Sequence, residues 1–236
     1  MLVINNLDKH YKGTDKGVTD ISLHVEAGDI YAFIGHNGAG KTTLLKAITG
    51  IHEFDKGEVL IDGIDLKKEP VEVKRRIAYI PDNPDIYEFL TGIQYLQMIA
   101  DIFRAPAADR ESIISDYADR FEITASLGDL VSSYSHGMKQ KLVIISALLH
   151  KPKLLIMDEP FVGLDPKAAY ILKEIMKEMT AEGCAIFFST HVLEVAEKLC
   201  NKVAIIRDGR LIANGRMEDV VKEGASLEEL FMETVE

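Results

Sequence analysis

Gly35-His36-Asn37-Gly38-Ala39-Gly40-Lys41-Thr42 has the form G-x-x-x-x-G-K-[S/T]. Its glycines let consecutive backbone N–H groups turn inward around phosphate oxygens. Lys41 supplies a point charge for the β- and γ-phosphates, and the Thr42 hydroxyl is a ligand for Mg²⁺. A helix opening at Lys41 adds the positive end of its dipole. The preceding run, Ile30-Tyr31-Ala32-Phe33-Ile34, is apolar throughout, as a strand buried on both faces requires. Strand, glycine-rich loop and helix in that order form a nucleotide phosphate cradle. Its expected contacts are the eight loop residues and Thr43.

Further along, Leu154-Leu155-Ile156-Met157 is a second apolar strand, ending in Asp158-Glu159. Carboxylates at the end of a buried strand need partners, because burying an unpaired charge is costly. A Mg²⁺ ion held by Thr42 would partner Asp158. Glu159 would then stand beside the γ-phosphate, placed to polarise or deprotonate the attacking water.

Around these two stretches the hydrophobic pattern predicts an α/β core. Strands are expected at Leu2–Ile4, Ile21–Val25, Glu58–Ile61, Ile77–Ile80, Ala185–Phe188 and Val203–Ile206. Asp208-Gly209 reads as a hairpin turn into Leu211-Ile212-Ala213. Helices are expected at Lys41–Thr49, Pro166–Met179 and His191–Leu199. Ser226 and Glu229 fit a capping box opening a short terminal helix. From about Thr91 to His150 apolar residues recur at helical spacing, so the core is interrupted by an all-helical insert. Strands separated by helices point to a largely parallel sheet.

The 236 residues suffice for one compact domain with an insert. A net charge of −11 argues against general affinity for nucleic acid or anionic lipid. Cys184 and Cys200 show no metal-site or disulfide spacing and read as buried thiols. The longest apolar run is five residues, far short of the roughly 20 that a membrane-spanning helix needs. No signal peptide is evident at Met1–Asn6, so a soluble chain is expected.

Five further segments, in order, resemble the nucleotide-binding domain of an ATP-binding-cassette (ABC) transporter. Tyr11, in Lys9-His10-Tyr11, resembles the aromatic residue that stacks on adenine. Tyr79-Ile80-Pro81-Asp82 resembles the Q-loop, with aspartate in place of the usual glutamine. Tyr134-Ser135-His136-Gly137-Met138 resembles the signature loop, and Ser135 stands 24 positions before Glu159. Gly163-Leu164-Asp165 resembles the D-loop, and Ser189-Thr190-His191 the switch histidine.

The resemblance covers essentially the whole chain. It implies a P-loop NTPase (RecA-like) fold, with a mostly parallel sheet and an N-terminal antiparallel β subdomain. Residues 1–82 and 151–236 would form the core and 83–150 the helical subdomain carrying the signature loop. It also implies ATP and Mg²⁺ as ligands, with Thr42, Asp158 and Asp82 around the metal. Lys41, Glu159 and His191 would be catalytic, His191 donating to the γ-phosphate. Ser135, Gly137 and Asp165 would serve a head-to-tail dimer, made with a second copy or a homologue. The expected partner is a separate permease, docked near Asp82 to Leu90, that holds the chain at the cytoplasmic face of the membrane. The Ser-x-Gly-Met signature and the terminal Leu227-Glu228-Glu229-Leu230-Phe231 resemble exporter ATPases. The competing readings are a soluble ABC ATPase of a cytosolic assembly complex, such as one for iron–sulfur clusters, and a cassette that binds without turnover.

Overall fold

Alternation along one strand shows how the molecule is layered. In the strand Ala185–Thr190, Ala185 and Phe187 enter one hydrophobic cluster, while Ile186 and Phe188 enter another. Side chains alternate faces with period two, so this strand separates two cores. The computed structural model describes residues 1–13, 16–83, 85–221 and 226–235, the last three of these by backbone alone.

The separating layer is a six-stranded sheet. Its strands are β3 (Ile30–Ile34), β6 (Ile77–Ile80), β7 (Leu154–Asp158), β8 (Ala185–Thr190), β9 (Lys202–Arg207) and β10 (Arg210–Arg216), in the order β10-β9-β3-β8-β7-β6. All pairs are parallel except β10 with β9, which form the expected hairpin. A smaller antiparallel sheet has the order β2-β1-β4-β5. It comprises β1 (Leu2–His10), β2 (Gly17–Val25), β4 (Lys56–Ile61) and β5 (Ile64–Asp65). A mostly parallel sheet accompanied by an antiparallel one is the predicted arrangement.

One face of the large sheet packs on helix α1 (Lys41–Ile48), helix α2 (Pro70–Lys74) and the small sheet. The other face packs on α3 (Gly92–Ile102), α4 (Ala107–Arg120), α5 (His136–Leu148), α6 (Pro166–Ala181) and α7 (Leu193–Leu199). Helices α3 to α5 lie between β6 and β7 in the chain, where the insert was expected. Helix α8 (Met217–Val220) follows β10, and α9 (Leu227–Val235) returns to α7. The predicted capping box is formed: Ser226 N–H donates to Glu229 Oε2 at 2.9 Å, and Glu229 N–H donates to Ser226 Oγ at 3.1 Å. Both cysteines are buried and free, and burial pushes their thiols up, Cys184 to about 11.

Two local expectations need correction. Helix α7 begins at Leu193, not His191. The backbone N–H of His191 donates to Glu159 Oε2 (3.3 Å) and that of Val192 to Thr190 Oγ1 (3.0 Å), so side chains hold this turn instead of helical bonds. Strand β1 extends from the expected Leu2–Ile4 on to His10, through the polar Asn5-Asn6. Irregular register there and a left-handed Asn6 (φ 47°) mark a bulge, which lets the ladder resume beyond it.

Phe187 is fully buried, with ring centroids 5.5 Å from Tyr31 and 5.6 Å from Phe33. Phe187→Ala should lower stability by about 3–5 kcal/mol, read as a shift of the urea midpoint. A change below about 1 kcal/mol would contradict its central place in that core.

Candidate functional site

The site lies where β3, β7 and β8 end. The loop 35–40 leaves β3 and turns into α1 through Gly40, whose φ is +111°. A Cβ on Gly40 would lie 2.8 Å from Val18 Cγ1 and 3.0 Å from Gly17 O, so conformation and space both require glycine. The first turn of α1 has neither a capping side chain nor an acidic residue, which leaves its N–H groups to an anion. Lys41 folds back into the loop: its Nζ donates to Gly35 O at 2.6 Å and to His36 O at 3.3 Å. The same Nζ is 3.4 Å from Glu159 Oε1.

Asp158, at the end of β7, is buried. Thr42 Oγ1 donates to its Oδ2 at 2.6 Å, and Ser189 Oγ donates to its Oδ1. Ser189 is the register partner of Asp158 on β8, so sheet pairing sets that contact. Burial pushes the Asp158 carboxyl above the usual range; the two hydroxyls oppose that, while Asp82 and Glu159 add to it. A cation beside Thr42 would stabilise all three carboxylates. Among the described residues no group of three or more His, Cys, Asp or Glu could hold a metal by itself. This oxygen-only set suits Mg²⁺, which binds through one or two carboxylates together with substrate phosphates.

Glu159 has a left-handed backbone, φ 48°. Its Oε1 is buried without a hydrogen bond, facing Lys41. Its Oε2 lies 2.9 Å from Nδ1 of His191. Glu159 therefore joins the loop lysine to the histidine at the end of β8.

One cavity collects most of the expected residues: Tyr11, His36, Asn37, Gly38, Gly40, Lys41, Thr42, Thr43, Asp82, Asp158 and Glu159. Gly35 and Ala39 do not line it; both are buried against the core, and Gly35 contributes its carbonyl to Lys41. His191 is absent from the lining and reaches the site only through Glu159. Lys16 and Gly17 line it as well. Sequence reasoning passed over both, since neither stands in a recognisable pattern. Ser189 belongs to the Ser189-Thr190-His191 segment but carried no expected role of its own.

Ser135, Gly137 and Asp165 lie outside this cavity. Ser135 is the N-cap of α5, its Oγ accepting from Met138 N–H at 3.3 Å. Asp165 caps α6, its Oδ1 accepting from Ala168 N–H at 2.8 Å, and its Oδ2 is 2.9 Å from Lys141 Nζ. The Ala168 N–H and then Lys141 hold the Asp165 carboxyl below the usual range. The ring of His136 packs over Gly163, where an added Cβ would lie 2.6 Å from His136 Cδ2. The signature loop and the D-loop are thus fastened to each other within one chain.

A glycine-rich loop at an uncapped helix N-terminus, the Thr42–Asp158 pair and the adjacent Glu159 carboxylate are the parts that phosphoryl transfer to water calls for. The ABC transporter family model matches residues 18–162. The ABC transporter ATP-binding protein NatA of Bacillus subtilis is 34% identical over 212 residues, covering 89% of this chain and 86% of its own length. The SkfA peptide export ATP-binding protein SkfE, also of Bacillus subtilis, is 34% identical over 212 residues, 90% of this chain and 87% of its own. A solved ATP-binding subunit of an ABC transporter superposes with a TM-score of 0.95 at 36% identity, over 100% of both chains. By sequence, fold and site, the chain belongs to the ABC transporter family, as one of its ATP-hydrolysing subunits.

Proposed function

We propose that this ATPase subunit drives a separate membrane-spanning permease, with export as the direction of transport. The observation that carries the catalytic part is Glu159, held between Lys41 and His191 beside the Thr42–Asp158 pair. ATP lies with its triphosphate in the loop 35–40 and its adenine on the ring of Tyr11. Lys41 neutralises the β- and γ-phosphates. Thr42, Asp158 and Asp82 would hold Mg²⁺, which supplies charge neutralisation to the transferring phosphoryl group. Glu159 accepts a proton from the attacking water. His191 orients Glu159 and turns to the γ-phosphate when ATP separates that pair.

A second copy, or a homologue, completes the site head to tail. Ser135 and Gly137, at the N-terminal end of α5, meet the nucleotide bound by the other chain's Lys41 loop. No acidic residue stands in the first turn of α5, so that end is fit for an anion. Triphosphate charge cannot be buried without donors, so ATP completes the interface and its hydrolysis weakens it. Asp165 contributes by keeping its loop on Lys141.

No helix among the described residues is long and apolar enough to cross a membrane, which fits attachment through a permease at the cytoplasmic face. A groove lined by Tyr79, Pro81, Asp85, Ile86, Ile99 and Phe103 lies between β6 and α3 and would receive the permease. Beside it Tyr87 and Phe89 are 55% and 74% exposed. Export is inferred from the kinship with the peptide export protein. The helical segment 83–150 then acts as the subdomain that links the groove to Ser135. The cytosolic-assembly reading is disfavoured, since the relatives found are named for transport.

Three outcomes test this reading. Glu159→Gln should retain ATP binding, yield an ATP-dependent dimer on size-exclusion chromatography, and lose at least about 100-fold in hydrolysis. Near-normal turnover would remove Glu159 from its role. Asp82→Gln should leave hydrolysis comparable to that of the unmodified chain; abolished hydrolysis would mean that aspartate itself is needed beside the cation. The chain purified from detergent-solubilised membranes should bring one polytopic protein with it, and Tyr87→Ser with Phe89→Ser should release that protein. An active complex containing no membrane protein would sink the transport assignment.

A further inference from the structure

We propose that His52 is a positioning residue for the adenine platform: it fixes the ring of Tyr11 before nucleotide arrives. The proposal rests on the reading of Tyr11 as that platform. Tyr11 Oη lies 3.1 Å from His52 Nδ1. The two rings meet edge to face, with centroids 5.9 Å apart and planes at 87°. Lys9 Nζ stands over the Tyr11 ring, 5.4 Å from its centroid. The hydroxyl and one side of the ring are therefore held while Tyr11 still lines the nucleotide cavity.

The placement of His52 follows from how α1 ends. Gly50 takes a left-handed φ of +67°. Its N–H donates to Ala47 O at 3.1 Å, and the N–H of Ile51 donates to Lys46 O at 3.0 Å. These two bonds are the Schellman arrangement at a helix C-terminus. The His52 N–H also donates to Lys46 O, at 3.0 Å. The imidazole is thereby anchored to the last turn of the helix whose first turn forms the phosphate loop. One eight-residue helix, about 12 Å long, sets the spacing between phosphate loop and Tyr11.

Charge favours the same contact. Burial, then Lys46 and Lys9, hold the His52 ring below its usual pKa. The imidazole is neutral at neutral pH and keeps a free acceptor nitrogen. With the ring proton on Nε2, the Tyr11 hydroxyl donates to Nδ1. A tyrosine side chain at a strand end loses rotational freedom when a base stacks on it. Holding the ring beforehand removes part of that loss from the binding free energy.

A double-mutant cycle on the full chain tests the link, using Tyr11→Phe, His52→Leu and the pair. Binding is followed by displacement of a fluorescent ribose-labelled ATP, with inorganic tripolyphosphate as a phosphate-only probe. Each single substitution should weaken ATP binding about three- to tenfold. The pair should be no weaker than the worse single, because both remove the same hydrogen bond. Tripolyphosphate affinity should not move, and the loss should appear in KM rather than kcat. His52→Gln, which keeps an acceptor oxygen, should recover most of the affinity. Losses that multiply in the pair, or an equal fall in tripolyphosphate binding, would overturn the proposal. Tyr11→Ala separates the two levels: if it leaves ATP affinity unchanged, the platform reading fails, and the role of His52 with it.

Discussion

Thr42 and Ser189 both donate to the buried carboxylate of Asp158, and the site depends on that three-way contact. Thr42 lies in the first turn of α1, Asp158 ends β7 and Ser189 belongs to β8, so one carboxylate draws together three separate chain segments. An isolated buried charge would be strongly unfavourable. Two hydroxyls satisfy it only in part, and its raised pKa is the residue of that deficit. The proposed Mg²⁺ beside Thr42 would make up that deficit. That is the ordinary trade in which local stability is given up for binding.

The large sheet makes the trade workable. Each of its faces has its own hydrophobic cluster, so the strand ends at β3, β7 and β8 are held from both sides. The cradle sits at the carboxyl edge of a parallel sheet, where the loops leaving the strands can change without disturbing either core. Helix α5 belongs to one of those cores through Leu142, Ile144 and Ile145, yet its N-terminal end carries the Ser135 cap and His136. Core packing thus orients the signature loop as firmly as it orients the cradle.

Much of this was legible in the sequence because the deciding signals are local. The loop 35–42, the apolar β3 and β7, and the Asp158-Glu159 pair are contiguous stretches whose residue types imply their geometry. The bulge at Asn6 was not legible, because polar residues inside a strand look the same as a strand's end until the partner strand is known. The start of α7 was misjudged for a related reason: the donors of His191 and Val192 are satisfied by Glu159 and Thr190, contacts that no periodicity reveals. Lys16 and Gly17 reach the cavity by tertiary approach alone. No pattern in the sequence foretold where the His136 ring would go; it packs over Gly163, where no side chain competes.

The backbone of Glu159 has one more consequence. At φ 48° it stands where Asn, Asp and Gly are tolerated and where β-branched residues are strained. The mutational tolerance of this position is therefore filtered twice, first by conformation and only then by proton chemistry. Replacements such as Val or Thr would be rejected by the turn itself, whatever their effect on water. Among the conformationally admissible variants, the proposed role of Glu159 assigns activity to those that keep a carboxylate within reach of the attacking water. On that role, Asn or Gly here would give a folded, nucleotide-holding but silent cassette rather than an unfolded chain.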